Sequence, residues 1–307
     1  MDESKNPTKM IAKDEKIQQL LDDKGYAIIP LLTEGELDEL LRIYEDVPKQ
    51  HGAFTASAHI ENTAIRKHLS NDIKHVIVTR VNEMLQHIDI LGASFVVKSA
   101  GYNEKLQPHQ DWNIVEEKNF RSYNIWIPLI NTTKENGAIM VMPESHRWED
   151  TIRNSSIPCA FRNVYDELLQ TMVTLDIPAG FALIYDHALL HASHANPTSV
   201  DRIAIAVGVK PKNADMYLYW NNNGTIEKYD VDENYFLEKN IFNQPIGLNK
   251  KEAIIYSFPS VDQKRLTQLT GISFEQKEVE PNLSWYKVYT PMNIFREIAF
   301  RLTQKNT

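Results

Sequence analysis

Residues 107–112 carry the side chains in this sequence that are best suited to chemistry. They read QPHQDW, and one residue separates His109 from Asp111. On an extended backbone, residues two apart point to the same face, so an imidazole nitrogen and a carboxylate oxygen could bind one divalent metal ion. Two such ligands leave the metal under-coordinated, and a third must come from elsewhere. The pair alone also fits a surface strand that carries two polar side chains, which is the commoner situation.

Candidates for a third ligand lie in residues 186–202, which read DHALLHASHANPTSVDR. This segment offers three histidines, namely His187, His191 and His194. It ends at Arg202, which opens the apolar run RIAIAVGV, and a guanidinium buried there needs an anionic partner. The carboxylate of a bound dicarboxylic acid could be that partner. An internal ion pair with Asp186 or Asp201 is the alternative.

Three ordered motifs resemble the phytanoyl-CoA dioxygenase family of iron(II)- and 2-oxoglutarate-dependent oxygenases. The chain has HQD at 109–111, NGAIMVMPESH at 136–146 and HASHANPTSVDR at 191–202, and the resemblance covers roughly residues 20–211. The family pattern places the distal histidine ligand eleven residues before an arginine and two before a serine. His191 meets both conditions, with Ser193 and Arg202. The resemblance therefore implies that the metal ligands are His109, Asp111 and His191.

The same resemblance implies how the co-substrates bind. Arg202 and Ser193 would bind the distal carboxylate of 2-oxoglutarate, Asn124 would face this co-substrate, and iron(II) would react with O2. The pocket near the metal is expected to be lined by Gln107, Trp112, Asn113 and Trp126. For Trp126, packing in the barrel core is the alternative interpretation.

One turn departs from the family pattern. The segment that usually reads Pro-Gly-Ser-His is PESH here, with Glu144 in place of the glycine. If the turn needs a positive φ, the glutamate is strained or the local backbone differs. His146, which ends the motif, is interpreted as structural.

These motifs predict an oxidoreductase, a dioxygenase that hydroxylates an unactivated C–H bond and releases succinate and CO2. A small metabolite, either an amino acid or a biosynthetic intermediate, is the favoured substrate. Asp111 favours hydroxylation over halogenation, because related halogenases leave this position empty for chloride. Desaturation and ring formation stay open. The alternative is a cupin-like barrel that binds a metal or small ligand without turnover, but it leaves Arg202 unexplained.

The elements that must position these residues change in character along the chain. Helical spacing of apolar residues is found after Asp14, after Thr33 and over residues 71–87, and Gly25 is a natural helix end. From residue 88 onward, short runs rich in β-branched and aromatic residues indicate strands, with a helical insertion at 162–173. This order predicts an α+β chain with a mainly β core. The resemblance specifies a double-stranded β-helix, a jelly-roll or cupin-like barrel, flanked by N-terminal helices.

The predicted domain organisation is simple. We expect a flexible tail at residues 1–14 and one oxygenase domain over residues 15–307. The jelly-roll core is predicted at approximately 88–211, followed by a C-terminal extension, 212–307, whose role the sequence does not indicate.

Composition narrows the classes of partner and location. The net charge of −8 disfavours a polyanion such as nucleic acid, whose binding rests on clustered lysine and arginine. Cys159 is the only cysteine, so neither an intramolecular disulfide nor a thiolate zinc site can form, as in a reducing cytoplasm. The polar N-terminus has no signal-peptide core, and no apolar run approaches the roughly 18 residues needed to span a bilayer. We expect a cytoplasmic enzyme with a small-molecule substrate and no membrane partner, either a monomer or a homodimer.

Overall fold

The computed structural model describes residues 10–239 and 241–274. The helices are α1 (Glu15–Lys24), α2 (Glu34–Glu45), α3 (Thr63–Met84), α4 (Tyr165–Thr171), α5 (Glu233–Glu238) and α6 (Gln263–Thr270). The strands before the middle of the chain are β1 (Tyr26–Pro30), β2 (Phe54–Ala56), β3 (Ile88–Lys98), β4 (Leu106–His109), β5 (Tyr123–Pro128) and β6 (Ile139–Val141). The later strands are β7 (Val173–Thr174), β8 (Phe181–Asp186), β9 (His191–Ser193), β10 (Arg202–Pro211), β11 (Met216–Asn222), β12 (Thr225–Val231) and β13 (Lys250–Ile255).

Local signals set the ends of the first two helices. The Asp14 side chain accepts from two free backbone N–H groups at the start of α1, and Gly25 ends this helix with φ +80°. Thr33 and Glu36 form the expected capping box at the start of α2. Of the segment predicted as a tail, residues 10–14 are described, and Ile11 and Ala12 in it are buried in the core.

Helix α3 begins eight residues earlier than the periodicity indicates, so the predicted bounds of 71–87 are wrong. Asn62 caps the helix by accepting from the N–H groups of Ala64 and Ile65. The first turns bury a charged residue, Arg66, whose guanidinium donates to the backbone carbonyls of Ala58, Glu238 and Lys239. Because this buried arginine interrupts the apolar pattern, hydrophobic spacing does not predict the first turns of the helix.

Two antiparallel sheets form the barrel. The larger has the order β1-β8-β5-β10-β3-β2, and the smaller has the order β4-β9-β6-β7. Alternate residues of the large sheet face opposite sides: Ile125 and Ile127 pack with the N-terminal helices, whereas Trp126 between them packs with Ile139 and Val141 of the small sheet. The predicted α+β class with a mainly β core and N-terminal helices is therefore confirmed.

The described part of the C-terminal extension adds a third sheet, β11-β12-β13, with α5 and α6 beside it. Within α5, Leu237 packs on the backbone of β3 at Gly92, where an added Cβ would lie 3.0 Å from its side chain. Residues 275–307 of the predicted extension lie outside the described residues. In the part of the chain that the structure describes, no helix has the length and apolar character needed to cross a bilayer.

Candidate metal centre

Strand pairing brings the predicted metal ligands together. His109 ends β4 and pairs in register with His191 at the start of β9, and Asp111 follows β4 on the same face. One ligand atom from each residue lies within 4.8 Å of the others. His191 Nε2 is 3.8 Å from Asp111 Oδ1. Two imidazoles and one carboxylate thus converge as in the facial set that holds non-haem iron.

In both imidazoles, Nε2 is the ring nitrogen that is available to bind a metal ion. His109 Nδ1 is 2.8 Å from the carbonyl of Gln107, and His191 Nδ1 is 3.0 Å from the carbonyl of Leu189. A carbonyl only accepts, so each Nδ1 carries the proton and each Nε2 keeps its lone pair for a metal. Burial lowers the pKa of His109 to about 4, with a further contribution from His191, so the ring is neutral at pH 7.

The carboxylate of Asp111 is ionised at neutral pH. Burial alone would raise its pKa, but His191, His187 and His109, together with a hydrogen bond from Asn124, lower it to about 2. Asn124 Nδ2 donates to Asp111 Oδ2 over 3.4 Å, and its Oδ1 accepts from the N–H of Val207. The structure thus places Asn124 against the carboxylate ligand; its contact with 2-oxoglutarate stays a prediction.

The other two histidines of the segment have different surroundings. His187 Nδ1 is 2.9 Å from Ser122 Oγ, and His194 Nε2 is 2.9 Å from Thr174 Oγ1. Neither belongs to the three-residue group around the candidate metal position. The choice of His191, which the resemblance implied, is therefore the one that the geometry favours.

Arg202 is buried in the barrel without an acidic partner among the described residues. It is 2% exposed, and its Nε and Nη1 atoms lack a hydrogen-bond acceptor there. Of the two alternative partners, Asp186 lies 3.8 Å from Arg121, and Asp201 accepts from the N–H of Ala100. Burial lowers the pKa of Arg202 to about 9. A buried cation of this kind fits a bound anion.

Two further groups support an anion site beside Arg202. The hydroxyl of Ser193, also buried, has no hydrogen-bond partner among the described residues. The Arg202 guanidinium lies 5.2 Å from the centre of the Trp126 ring, a cation–π contact. Ser193 is in β9, two residues beyond His191, so its side chain and that of the ligand share one face of the strand. The unpartnered Ser193 hydroxyl therefore lies on the same side of β9 as the candidate metal ligand His191.

Lys98 is a residue of this region that sequence reasoning missed. It is the cross-strand partner of Arg202 and is likewise 2% exposed, and its Nζ donates to the backbone carbonyl of Glu104 over 3.1 Å. Burial, with Arg202 contributing, lowers the pKa of Lys98 to about 7. Only the pairing of β3 with β10 brings these two cations together. Spacing along the chain carries no such signal.

A second missed group holds the backbone of the metal motif. Arg153 Nε donates to the carbonyl of Asp111 over 2.7 Å, and its terminal nitrogens form an ion pair with Glu117. The side chains of Arg153 and Glu117 are only 8% and 9% exposed. Asn113, predicted to line the pocket, instead accepts from the N–H of Arg153 and is buried.

A cavity of about 260 Å³ opens beside the metal position, and we call it the Trp112 cavity. Asp111, Trp112, Asn124 and His187 form its metal-facing side. Of the residues predicted for the pocket, Trp112 is thus at the wall. Gln107 is half-buried. Trp126 packs in the barrel interior, which was the alternative expectation for this residue.

The family model for phytanoyl-CoA dioxygenase (PhyH) matches residues 13–204, which is more than half of the chain. The chain belongs to this family. The family is one of iron- and 2-oxoglutarate-dependent oxygenases, and the family predicted from the motifs is confirmed. The matched range contains all three candidate metal ligands and Arg202.

Two curated relatives are similar at low identity. Phytanoyl-CoA dioxygenase domain-containing protein 1 from Danio rerio is 24% identical over 196 residues, covering 60% of this chain and 60% of the relative. Phytanoyl-CoA dioxygenase 1 from Oryza sativa subsp. japonica is 25% identical over 125 residues, covering 39% of this chain and 44% of the relative. The chain thus spans about half the length of the curated relatives it matches.

One solved structure illustrates the shared fold. The epimerase SnoN, in complex with Fe3+, alpha ketoglutarate and nogalamycin RO, has a TM-score of 0.50 and 16% sequence identity. The similarity covers 82% of this chain and 96% of SnoN. It confirms the predicted double-stranded β-helix.

Proposed function

We propose that this chain is an iron(II)- and 2-oxoglutarate-dependent oxygenase that hydroxylates a C–H bond of a small metabolite. The observation that carries this proposal is the pairing of two features inside one barrel. His109, Asp111 and His191 converge on one point, and Arg202 and Ser193 present buried donors that are unpartnered among the described residues. A metal-binding barrel without turnover needs the first feature and not the second.

Each residue of the proposed site would have a separate role. His109 and His191 would hold iron through Nε2, because their Nδ1 protons are engaged by backbone carbonyls. Asp111 would supply the third ligand, oriented by Asn124. Arg202 and Ser193 would hold the distal carboxylate of 2-oxoglutarate, away from bulk water. When bound, iron, O2 and 2-oxoglutarate supply the oxidation of the C–H bond, with release of succinate and CO2.

The product class follows from the ligand set. Asp111 would occupy the coordination position that chloride takes in related halogenases, so we propose hydroxylation as the outcome. For location we propose the cytoplasm, which a single unpaired cysteine, Cys159, supports. The substrate is proposed to be a small biosynthetic intermediate or amino acid, in line with the size of the Trp112 cavity.

Anaerobic titration tests the proposal. Iron(II) and 2-oxoglutarate added to the protein should produce the visible charge-transfer band of the chelate. Arg202→Met should weaken 2-oxoglutarate binding by about 30-fold or more, since losing one partner of a buried charge pair costs about 2–5 kcal/mol. His109→Ala should abolish the band.

His194→Gln is the matched control, because His194 lies in the same segment but bonds to Thr174 away from the ligand group. This variant should keep the band. Protein that binds iron(II) without the band, or an Arg202→Met variant with unchanged 2-oxoglutarate affinity, would show that the proposed function is wrong.

A further inference from the structure

The Trp112 cavity is where a substrate would meet the metal, and its wall has an unusual origin. Gly208, Met216, Glu233, Phe236 and Ile241 line it together with residues of the barrel. All five lie beyond residue 204, where the family match ends. Gly208 is in β10 of the barrel, whereas the other four belong to the predicted C-terminal extension, which therefore builds part of the wall beside the metal.

The wall is mainly apolar. Its large side chains are Leu91, Trp112, Ile114, Met216, Phe236 and Ile241. Two glycines, Gly92 and Gly208, lie on the neighbouring strands β3 and β10 of one sheet and add no side-chain volume. A volume of about 260 Å³ lies just below the roughly 300–1,000 Å³ of pockets for drug-sized ligands. The cavity suits a compact carbon framework or one end of a larger molecule.

The charges of the cavity are all negative. No lysine or arginine is among the described residues that line it, and its ionisable acids are Asp111 and Glu233. Glu233 lies at the rim, 3.8 Å from Lys74, which does not line the cavity. With iron(II) and 2-oxoglutarate bound, Asp111 and the dianionic co-substrate would balance the charges of iron(II) and Arg202, so the centre would offer no net positive charge to a substrate. A carboxylate or phosphate placed here would lose its hydration without gaining a cation.

Polar recognition at the metal end is by neutral groups. His187 lines the cavity with its Nδ1 2.9 Å from Ser122 Oγ, and burial lowers its pKa, which favours the neutral ring. The Asn124 amide lies beside it. Such groups can orient a hydroxyl, ether, ketone or amide of a substrate, whereas they give a carboxylate no compensating charge.

We propose that the substrate of this site places an uncharged, largely apolar carbon framework in the Trp112 cavity, and not a carboxylate or a phosphate. This inference rests on the proposed function, since it concerns the substrate of the same centre. It favours a neutral biosynthetic intermediate over a free amino acid.

A matched pair of probes tests the inference on the anaerobic complex with iron(II) and 2-oxoglutarate. Cyclohexanecarboxamide and cyclohexanecarboxylate share one framework and differ in charge. Calorimetric titration should show at least tenfold tighter binding of the carboxamide. Equal affinities, tighter binding of the carboxylate, or no binding of either probe would overturn the inference. The charge-transfer band is recorded first, so that failure of the proposed function is seen separately as absence of the band.

Variants of α5 link the preference to the extension. Phe236→Arg introduces a cation at a half-buried wall position and should tighten carboxylate binding about tenfold, while Ile246→Arg, at a residue 89% exposed in the same extension, should not. If Phe236→Arg does not fold, Glu233→Gln serves instead. It should tighten carboxylate binding about threefold by removing a like charge. Its control is Glu238→Gln on the same helix, which also pairs with a lysine of α3 but does not line the cavity. Unchanged carboxylate affinity in the folded wall variant would count against the inference.

Discussion

Replacing Arg202 with methionine should stabilise the protein in the absence of 2-oxoglutarate while weakening co-substrate binding. Two buried guanidinium nitrogens have no acceptor among the described residues, and each such group costs about 1–3 kcal/mol. The cation–π contact with Trp126 offsets roughly 1–2 kcal/mol of this cost. Methionine keeps most of the buried stem without the charge. We therefore expect a net gain of about 1–3 kcal/mol in the free energy of unfolding.

Thermal denaturation measures this gain. At about 2–4 °C per kcal/mol for a large domain, the Tm of Arg202→Met should rise by roughly 2–12 °C. Adding 2-oxoglutarate with Mn(II) at about 100 times the Kd should stabilise the wild-type protein by about 2.7 kcal/mol. With a Kd about 30-fold weaker or more, Arg202→Met should gain no more than about 0.9 kcal/mol from the same addition. The variant thus loses most of the response to ligand while gaining intrinsic stability.

Arg153→Met is the matched control, because Arg153 is buried in the same barrel region but is fully partnered. Its ion pair with Glu117 and its hydrogen bond to the Asp111 carbonyl would be lost, leaving a buried carboxylate unpaired. Breaking such a pair costs about 3–5 kcal/mol, so this variant should be less stable than the wild type. If Arg202→Met also lowers the Tm without ligand, Arg202 is a structural residue and the anion-site argument is wrong.

Three further predictions concern backbone geometry and pH. Gly25→Ala should lower the free energy of unfolding by more than about 1 kcal/mol, since φ is +80° and the new Cβ would lie 2.5 Å from His146 Nδ1. The control is Gly35→Ala, in α2 with open space around it, which should raise the free energy of unfolding by about 0.5–1 kcal/mol. Urea denaturation measures both changes. Glu144→Gly should raise the urea midpoint slightly, because Glu144 has φ +70° and its exposed ion pair contributes little; a lower midpoint would contradict this. The pKa of Lys98 is lowered to about 7 in the folded protein, so the unfolded chain binds more protons between about pH 7 and pH 10.4 and stability should rise with pH across that window. Lys98→Met should flatten this rise, and an unchanged slope would show that Lys98 is not its source.

Some features of this protein depend on neighbours close in sequence, and those could be predicted without the fold. The cap at Thr33 needs a partner only three residues away, and the stop at Gly25 needs only its own backbone freedom. The alternation of a strand puts His109 and Asp111 on one side. Glu144, where the family has glycine, does adopt a positive φ, so the strain expected from the sequence is present in the backbone.

Other features depend on residues far apart in sequence, and only the tertiary structure decided them. The β4–β9 register sets His109 opposite His191, and the β3–β10 register sets Lys98 opposite Arg202. A single sequence carries hydrophobic period and motif spacing but no record of which strands pair. For the same reason, the sequence did not predict the hydrogen bond from Arg153 to the Asp111 carbonyl or the residues that the C-terminal extension adds to the wall of the Trp112 cavity. The chemistry of the centre was therefore readable from local residue types, whereas its electrostatic surroundings and its cavity arise only when distant segments pack together.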